Sequence, residues 1–148
     1  MSTHEPKNPD YAIDITRGFE AQAFMETLGA TLEHVEPGLV EVHAPHDAAL
    51  TQQIGALHAG ATTALVDTAC GFAALTLAPS GYDVLSVEFK VDLLRPALGA
   101  RYIARGEVLK AGRTLCRTRG SLFAVDASGE ERVVAVMSAT MILVNRSA

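Results

Sequence analysis

The chain has no tryptophan, only two cysteines, and an aromatic fraction of 5% over 148 residues. Without large rings, a core has to come mostly from Ala, Val and Leu, and a hydrophobic fraction of 49% is enough to build one in a single domain. Cys70 and Cys116 both lie in apolar stretches, with neither metal-site spacing nor the pattern of a secreted disulfide scaffold. Buried free thiols in a reducing, cytoplasmic setting are therefore expected. His4, His43 and His46 also lack ligand-like spacing, so no metal is expected. Positive charge is scarce: 12 Lys and Arg against 17 Asp and Glu, a net charge of -5, which argues against nucleic acid as a partner. Long uniform apolar runs are missing too. The most apolar stretch, around Asp67, is too rich in Gly, Thr and Ala to span a bilayer, so no membrane partner is expected. The N-terminus is polar and carries Pro6 and Pro9, unlike a signal peptide. Residues 1–12 read as a disordered or loosely docked arm of one 1–148 domain.

What is present is a regular succession of elements. Phe19, Ala23, Phe24 and Leu28 recur at helical spacing, which predicts an amphipathic helix over 16–28, ended by Gly29. Two short strands, 30–35 and 39–44, flank Glu36-Pro37-Gly38, a turn in which Pro fixes φ and Gly accepts a positive one. A loop over 46–56 precedes a helix over about 59–77, apolar nearly all round and stopped by Pro79-Ser80-Gly81. Strands follow over 84–94, 101–110, 113–125 and 132–144. In the first of these Leu85, Val87, Phe89, Val91 and Leu93 alternate with Ser86, Glu88, Lys90 and Asp92, so the apolar set is expected to face the helix. One buried helix with several antiparallel strands makes an α+β arrangement in which the sheet curls around the helix.

Asp67 is the only acidic residue on that helix. A carboxylate there costs several kcal/mol unless it is paired, hydrogen-bonded or reached by water. Gly60, Thr63, Ala64, Asp67, Gly71, Ala74 and Ala78 fall on one stripe, small apart from the carboxylate, which permits close approach by a ligand or another backbone. A structural role for Asp67, bonded to a buried Thr or an amide, is the alternative reading.

Several short motifs occur in a fixed order: Leu57-His58-Ala59-Gly60-Ala61 at the helix start, Ala64-Leu65-Val66-Asp67 within it, Leu85-Ser86-Val87-Glu88-Phe89 on the next strand, Leu94-Arg95-Pro96-Ala97 at its end, and Val108-Leu109-Lys110-Ala111-Gly112-Arg113-Thr114 across a later turn. Together they cover about 55–144, and the chain resembles the PaaI-like branch of the hotdog-fold acyl-CoA thioesterases. The resemblance implies a homodimer whose sheets join into one, often doubled to a homotetramer, with active sites between subunits. It implies a catalytic carboxylate at Asp67. It matches the second Gly of an HGG motif to Gly60, with Ala59 in place of the first, and puts Gln52 where related chains often hold Asn. Ser86 matches a position often occupied by Ser or Thr near the attacking water, although its strand alternation points it away from the helix.

Hydrolysis of a thioester needs a polarised carbonyl and an activated water. Backbone N–H groups of Ala59 and Gly60, at the positive end of the helix, suit the first task, and Asp67 as base or nucleophile suits the second. Eight residues separate Ala59 from Asp67, about 12 Å along the axis. One helix cannot complete the site, so a site shared by two subunits is expected. His58 is a candidate acid or base, with capping of the helix the plainer role. Thr68, Arg95, Lys110, Gly112 and Arg113 are candidate substrate or CoA contacts, the basic ones for the phosphates. Coenzyme A enters as part of the substrate and no cofactor is expected. Two rival readings are a non-catalytic acyl-CoA-binding protein and a hotdog hydratase or dehydratase, for which the chain lacks a proline-rich His motif before the helix.

Overall fold

A computed structural model describes residues 3–148. Its elements in chain order are α1 (Tyr11–Glu20), α2 (Ala23–Thr27), β1 (Thr31–Glu36), β2 (Leu39–Pro45), a 3-10 turn (Ala48–Leu50), α3 (Ala59–Leu75), β3 (Tyr82–Leu93), β4 (Arg101–Ala111), β5 (Leu115–Val125) and β6 (Glu131–Asn145). The six strands form one antiparallel sheet in the order β1-β2-β4-β5-β6-β3. α3 packs against β2 through β6, so the sheet wraps the helix.

Two glycines set how closely. Gly106 on β4 and Gly120 on β5 are register partners beneath α3. A Cβ on Gly106 would collide with the Ala69 backbone, and one on Gly120 with the side chains of Val66 and Cys70. Their absence lets the helix settle onto the sheet, burying Leu65, Val66, Ala69, Cys70 and Ala73 to 1% exposure or less. A fully buried Leu or Val contributes about 1.5–3 kcal/mol. On β5 the buried residues Cys116, Thr118, Gly120, Leu122 and Ala124 alternate with more exposed ones, the period-2 pattern of a strand with one face on the core. The Pro37-Gly38 turn forms as expected, with Gly38 at φ 80.

Four details differ from the sequence reading or sharpen it. The predicted helix over 16–28 is two helices: Gln22 is extended (φ -84, ψ 96), and the break rotates the chain so that Met25 and Leu28 are buried. A continuous helix following the Ile15–Phe19 face would have turned Gln22 and Glu26 inward instead. The arm expected over 1–12 takes the docked of its two expected states over residues 3–10, its last two residues open α1, and residues 1 and 2 lie outside the described residues. Asn8 is buried, its Nδ2 donates to Asp14 Oδ2 at 2.8 Å, and its Oδ1 accepts from the Asp10 N–H at 3.0 Å. α3 is not covered all round. Gly60 is exposed, and Thr63, Ala64, Asp67 and Thr68 are half-buried, a strip that no element among the described residues covers.

The fourth is β3. It ends the sheet beside β6, with its other side unpaired. Register slips between Ser86 and Glu88: Ser86 pairs with the buried Met141, and Glu88 pairs with Thr140 on the outer face. Val87 is the extra residue of a β-bulge. Before the bulge the inward residues are Val84 and Ser86, and Leu85 is 58% exposed; after it Phe89, Val91 and Leu93 take the inner register. The expected uniform apolar face is therefore broken at its middle.

Candidate active site

The helix start is held by its loop. Leu57 N–H donates to Ala97 O at 3.0 Å and His58 N–H to Leu50 O at 2.9 Å. His58 caps the helix: its backbone is extended (φ -60, ψ 141), and its Nδ1 accepts from the Gly60 N–H at 2.8 Å. Acceptance at Nδ1 puts the proton of the neutral ring on Nε2. It also corrects one expectation, because the Gly60 amide already has an acceptor. The Ala59 N–H has none among the described residues and is exposed at the positive end of α3. Gln52 sits beside it. Its Oε1 accepts from the Ile54 N–H at 2.6 Å, which leaves its amide NH2 as a donor. Gln52, Ala59 and Arg95 line one cavity of about 300 Å3.

Two turns further along α3, Asp67 accepts a 2.6 Å hydrogen bond from Ser86 Oγ, which also lies 3.4 Å from Met141 Sδ. The Val87 bulge is what brings Ser86 to the helix, resolving the conflict between its position in the alternation and its match to the resemblance. Asp67, Thr68 and Ser86 line a small pocket of about 80 Å3 with Gly71, Phe72 and Gln22. Asp67 has no ion pair among the described residues. Asp67 is half-buried, and among the described residues the Ser86 hydroxyl is the hydrogen-bond partner of its carboxylate.

The other polar groups nearby are engaged elsewhere. Glu88, two residues from Ser86, points to the outer face, where the Thr140 hydroxyl and the Arg117 guanidinium hold its carboxyl below the usual range. Burial pushes the Cys70 thiol up to about 12 and the Cys116 thiol up to about 11, so neither supplies a thiolate near neutral pH. Among the described residues no three His, Cys, Asp or Glu side chains stand close enough to hold a metal ion.

The predicted phosphate contacts do not meet within one chain. Arg95 is at the helix-start cavity, whereas Lys110, Gly112 and Arg113 lie at the β4–β5 turn, where the Gly112 N–H donates to Leu115 O at 2.8 Å. The length of β4, about 30 Å, separates these ends. The turn shares a row with Ser86, through Met141, Cys116 and Ala111, three strand spacings or about 14 Å away. Sequence reasoning missed two residues. Gln22, at the break between α1 and α2, lines the Asp67 pocket, and Arg132 joins Arg95 on an adjoining cavity of about 280 Å3 that Asp126 and Glu130 also line. Arg132 lies in the stretch read as the start of the last strand, where nothing marked it as different from other exposed basic residues.

The thioesterase superfamily profile matches residues 54–129, from just before the helix start to the β5–β6 turn. A thioesterase family protein from Silicibacter pomeroyi is 45% identical, with 91% of this chain and 98% of that one covered and a TM-score of 0.89. The chain belongs to the thioesterase superfamily. The fold of this superfamily member is the hotdog fold, shared with the E. coli PaaI protein from the phenylacetic acid degradation operon (18% identity, TM-score 0.81, 94% and 96% covered). It is shared as well with a Haemophilus influenzae thioesterase (19% identity, TM-score 0.79, 92% of each chain covered). No curated protein matches the chain by sequence. No helix among the described residues is long and apolar enough to cross a membrane.

Proposed function

We propose that this thioesterase-superfamily member hydrolyses acyl-CoA thioesters with medium-chain or aryl acyl groups, at sites shared between two copies of the chain. The observation that carries the reading is the Asp67–Ser86 pair on a half-open pocket, on the same helix as the unpaired Ala59 amide but about 12 Å away. Two copies placed with their exposed α3 strips facing bring Asp67 of one to the helix start of the other. The unpaired edge of β3, which exposes Leu85, Val87 and Phe89, suits pairing with the same strand of a second copy. A symmetric dimer of this kind contains two equivalent sites.

In such a site the Ala59 N–H and the Gln52 amide donate to the thioester carbonyl oxygen, which becomes negative as the carbon turns tetrahedral. Asp67, oriented by Ser86, takes a proton from water as its oxygen bonds to the carbonyl carbon. When the C–S bond breaks, the CoA sulfur leaves as a thiolate and takes that proton, giving the free acid and CoA. The same carboxylate could instead attack the carbon itself, with water cleaving the resulting anhydride; both routes need Asp67 at the same place. Arg95 of one copy, and Lys110 and Arg113 of the other, then offer cations to the CoA phosphates.

The test is a panel of acyl-CoAs assayed for released thiol with wild type and Asp67→Ala. The expected outcome is turnover by the wild type that the substitution nearly abolishes while the folded assembly persists. Full activity of the variant would remove Asp67 from the mechanism. Acyl-CoAs that raise the melting temperature without being cleaved would favour a binding protein.

A further inference from the structure

We propose that the buried hydroxyl of Tyr102 positions the helix-start loop, and with it the Ala59 amide, for the thioester carbonyl. The inference rests on the thioesterase reading above and deepens it at the donor half of the site. Tyr102 lies on β4 and is 0% exposed. Its O–H donates to the Ala97 carbonyl at 3.0 Å, and the same carbonyl accepts the Leu57 N–H at 3.0 Å. A carbonyl oxygen has two lone pairs and can take both bonds. Ala97 stands in the connection between β3 and β4, and Leu57 stands two residues before Ala59. One oxygen therefore joins three parts of the chain: β4, the β3–β4 connection and the entry to α3. Ala97 and Leu57 line the same cavity as Gln52, Ala59 and Arg95, so this junction belongs to the wall that carries the proposed donors.

The hydroxyl is suited to that task. Burial raises the phenol above its ordinary value, against a smaller opposing pull from the Gly99 backbone, so it stays a protonated donor near neutral pH. Its one proton goes to Ala97, and the His46 Nδ1, 3.3 Å from the Tyr102 oxygen, meets that oxygen as a donor. The β3–β4 connection is tied by backbone bonds at its two ends, Leu94 N–H to Val134 O at 2.9 Å and Ala100 N–H to Val125 O at 2.8 Å. Between them, among the described residues, Tyr102 is the side chain that holds Ala97. Without the hydroxyl, Leu57 would hang from a carbonyl fixed only through the ends of its own connection. The helix start would lose part of its aim, and a misplacement of about 1 Å at a reacting centre can cost about a hundredfold. The His58 N–H keeps its bond to Leu50 O, so the loss should be partial.

The experiment compares Tyr102→Phe with Thr76→Val in the full chain. Thr76 is the matched control at the other end of α3: it too is 0% exposed, and its hydroxyl accepts the Gly38 N–H at 2.7 Å and donates to Ala73 O at 2.6 Å. Acyl-CoA hydrolysis gives kcat and KM, and NMR hydrogen exchange reads single amides with no substrate present. Tyr102→Phe should lower kcat about tenfold with KM within about twofold, and should speed exchange of the Leu57 amide at least about tenfold more than that of amides in the middle of β5. Thr76→Val should leave kcat and Leu57 exchange within about twofold at a comparable fall in melting temperature. In the Ala59→Pro background, which lacks the donor, Tyr102→Phe should change kcat by less than about twofold. Tyr102→3-fluorotyrosine keeps ring and donor and should keep kcat within about twofold, which guards against a packing defect in the Phe variant. An unchanged kcat in Tyr102→Phe, an equal loss in Thr76→Val, a full further loss in the Ala59→Pro background, or Leu57 exchange that rises only as much as β5 would overturn the assignment. Selective release of Leu57 in a protein that cleaves no thioester would uphold the Tyr102 tie and defeat the hydrolase reading instead.

Discussion

The first and third turns of α3 belong to one helix and carry opposite chemistry. Around the first turn every group aimed outward is a donor: the Ala59 amide at the positive end of the helix, the NH2 of Gln52, and Arg95. Around the third the outward group is an acceptor, the Asp67 carboxylate, with Ser86 donating to it at 2.6 Å. Thioester hydrolysis needs both, a donor for the carbonyl oxygen and an acceptor for the proton of water. One chain owns both and holds them about 12 Å apart. On the reading proposed above, each chain would carry two half-sites, which the exposed strip of α3 and the open edge of β3 would join across two copies.

Separating the two copies should therefore have the largest effect. Val87 is 55% exposed in the middle of β3, whose outer edge is unpaired among the described residues. Val87→Lys would set two like charges near each other across a symmetric seam, so sedimentation should show a monomer whose secondary structure is intact and whose thiol release is at least about a thousandfold down, since donor and base are both lost to each other. A fully active monomer would show that one chain completes the site. Next come variants that strike one half only. Asp67→Ala should cost about a thousandfold in kcat. Ala59→Pro removes just the N–H, because Pro suits the first helical position and His58 already has the extended backbone that a following Pro requires. It should cost about a hundredfold or more with little loss of stability.

Mixing those two inactive proteins tests the division directly. In a hybrid dimer of Asp67→Ala with Ala59→Pro, one site carries both lesions and the other carries neither. Random exchange should restore about a quarter of wild-type activity. No recovery after verified exchange would place both halves in one chain. A smaller effect is expected within the acceptor half. Ser86→Ala removes one hydrogen bond to a charged group and should lower kcat about tenfold, with Ser86→Thr largely restoring it. Equal activity of Ser86→Ala and wild type would show that Asp67 needs no orienting partner.

The two halves were unequally legible in the sequence. Asp67 stood out because a lone charge on a helix otherwise small and apolar has a cost that can be reckoned from composition alone. The sheet was legible as well, since period-2 burial and Pro-Gly and Gly turns are local signals. Ser86 was not placed correctly by alternation, because a bulge shifts register by one residue and leaves no sure mark in a run of Ser, Val and Glu. Nor could periodicity show that α1 ends at Glu20, since the break answers to where Met25 and Leu28 find burial in the folded chain. The coverage of α3 is only partly legible: an apolar helix says that its faces will be covered, not whether its own chain covers them. That the Gly60 amide takes its own His58 ring as acceptor is likewise hidden in the sequence, because it depends on a side-chain rotamer.

That ring gives the smallest and finest test of the donor half. If His58 serves only as the cap seen here, His58→Ala loses one cap bond, about 1 kcal/mol, and the melting temperature should fall by about 3 °C. Activity should drop only a few-fold, through looser placement of the Ala59 amide. His58→Asn, a residue strongly preferred at that position, should recover both the melting temperature and most of the rate. A different pattern would change the comparison. If His58→Asn recovers stability but leaves kcat down by about a hundredfold, the ring itself takes part in proton transfer, and the donor half holds a titrating group as well as fixed amides.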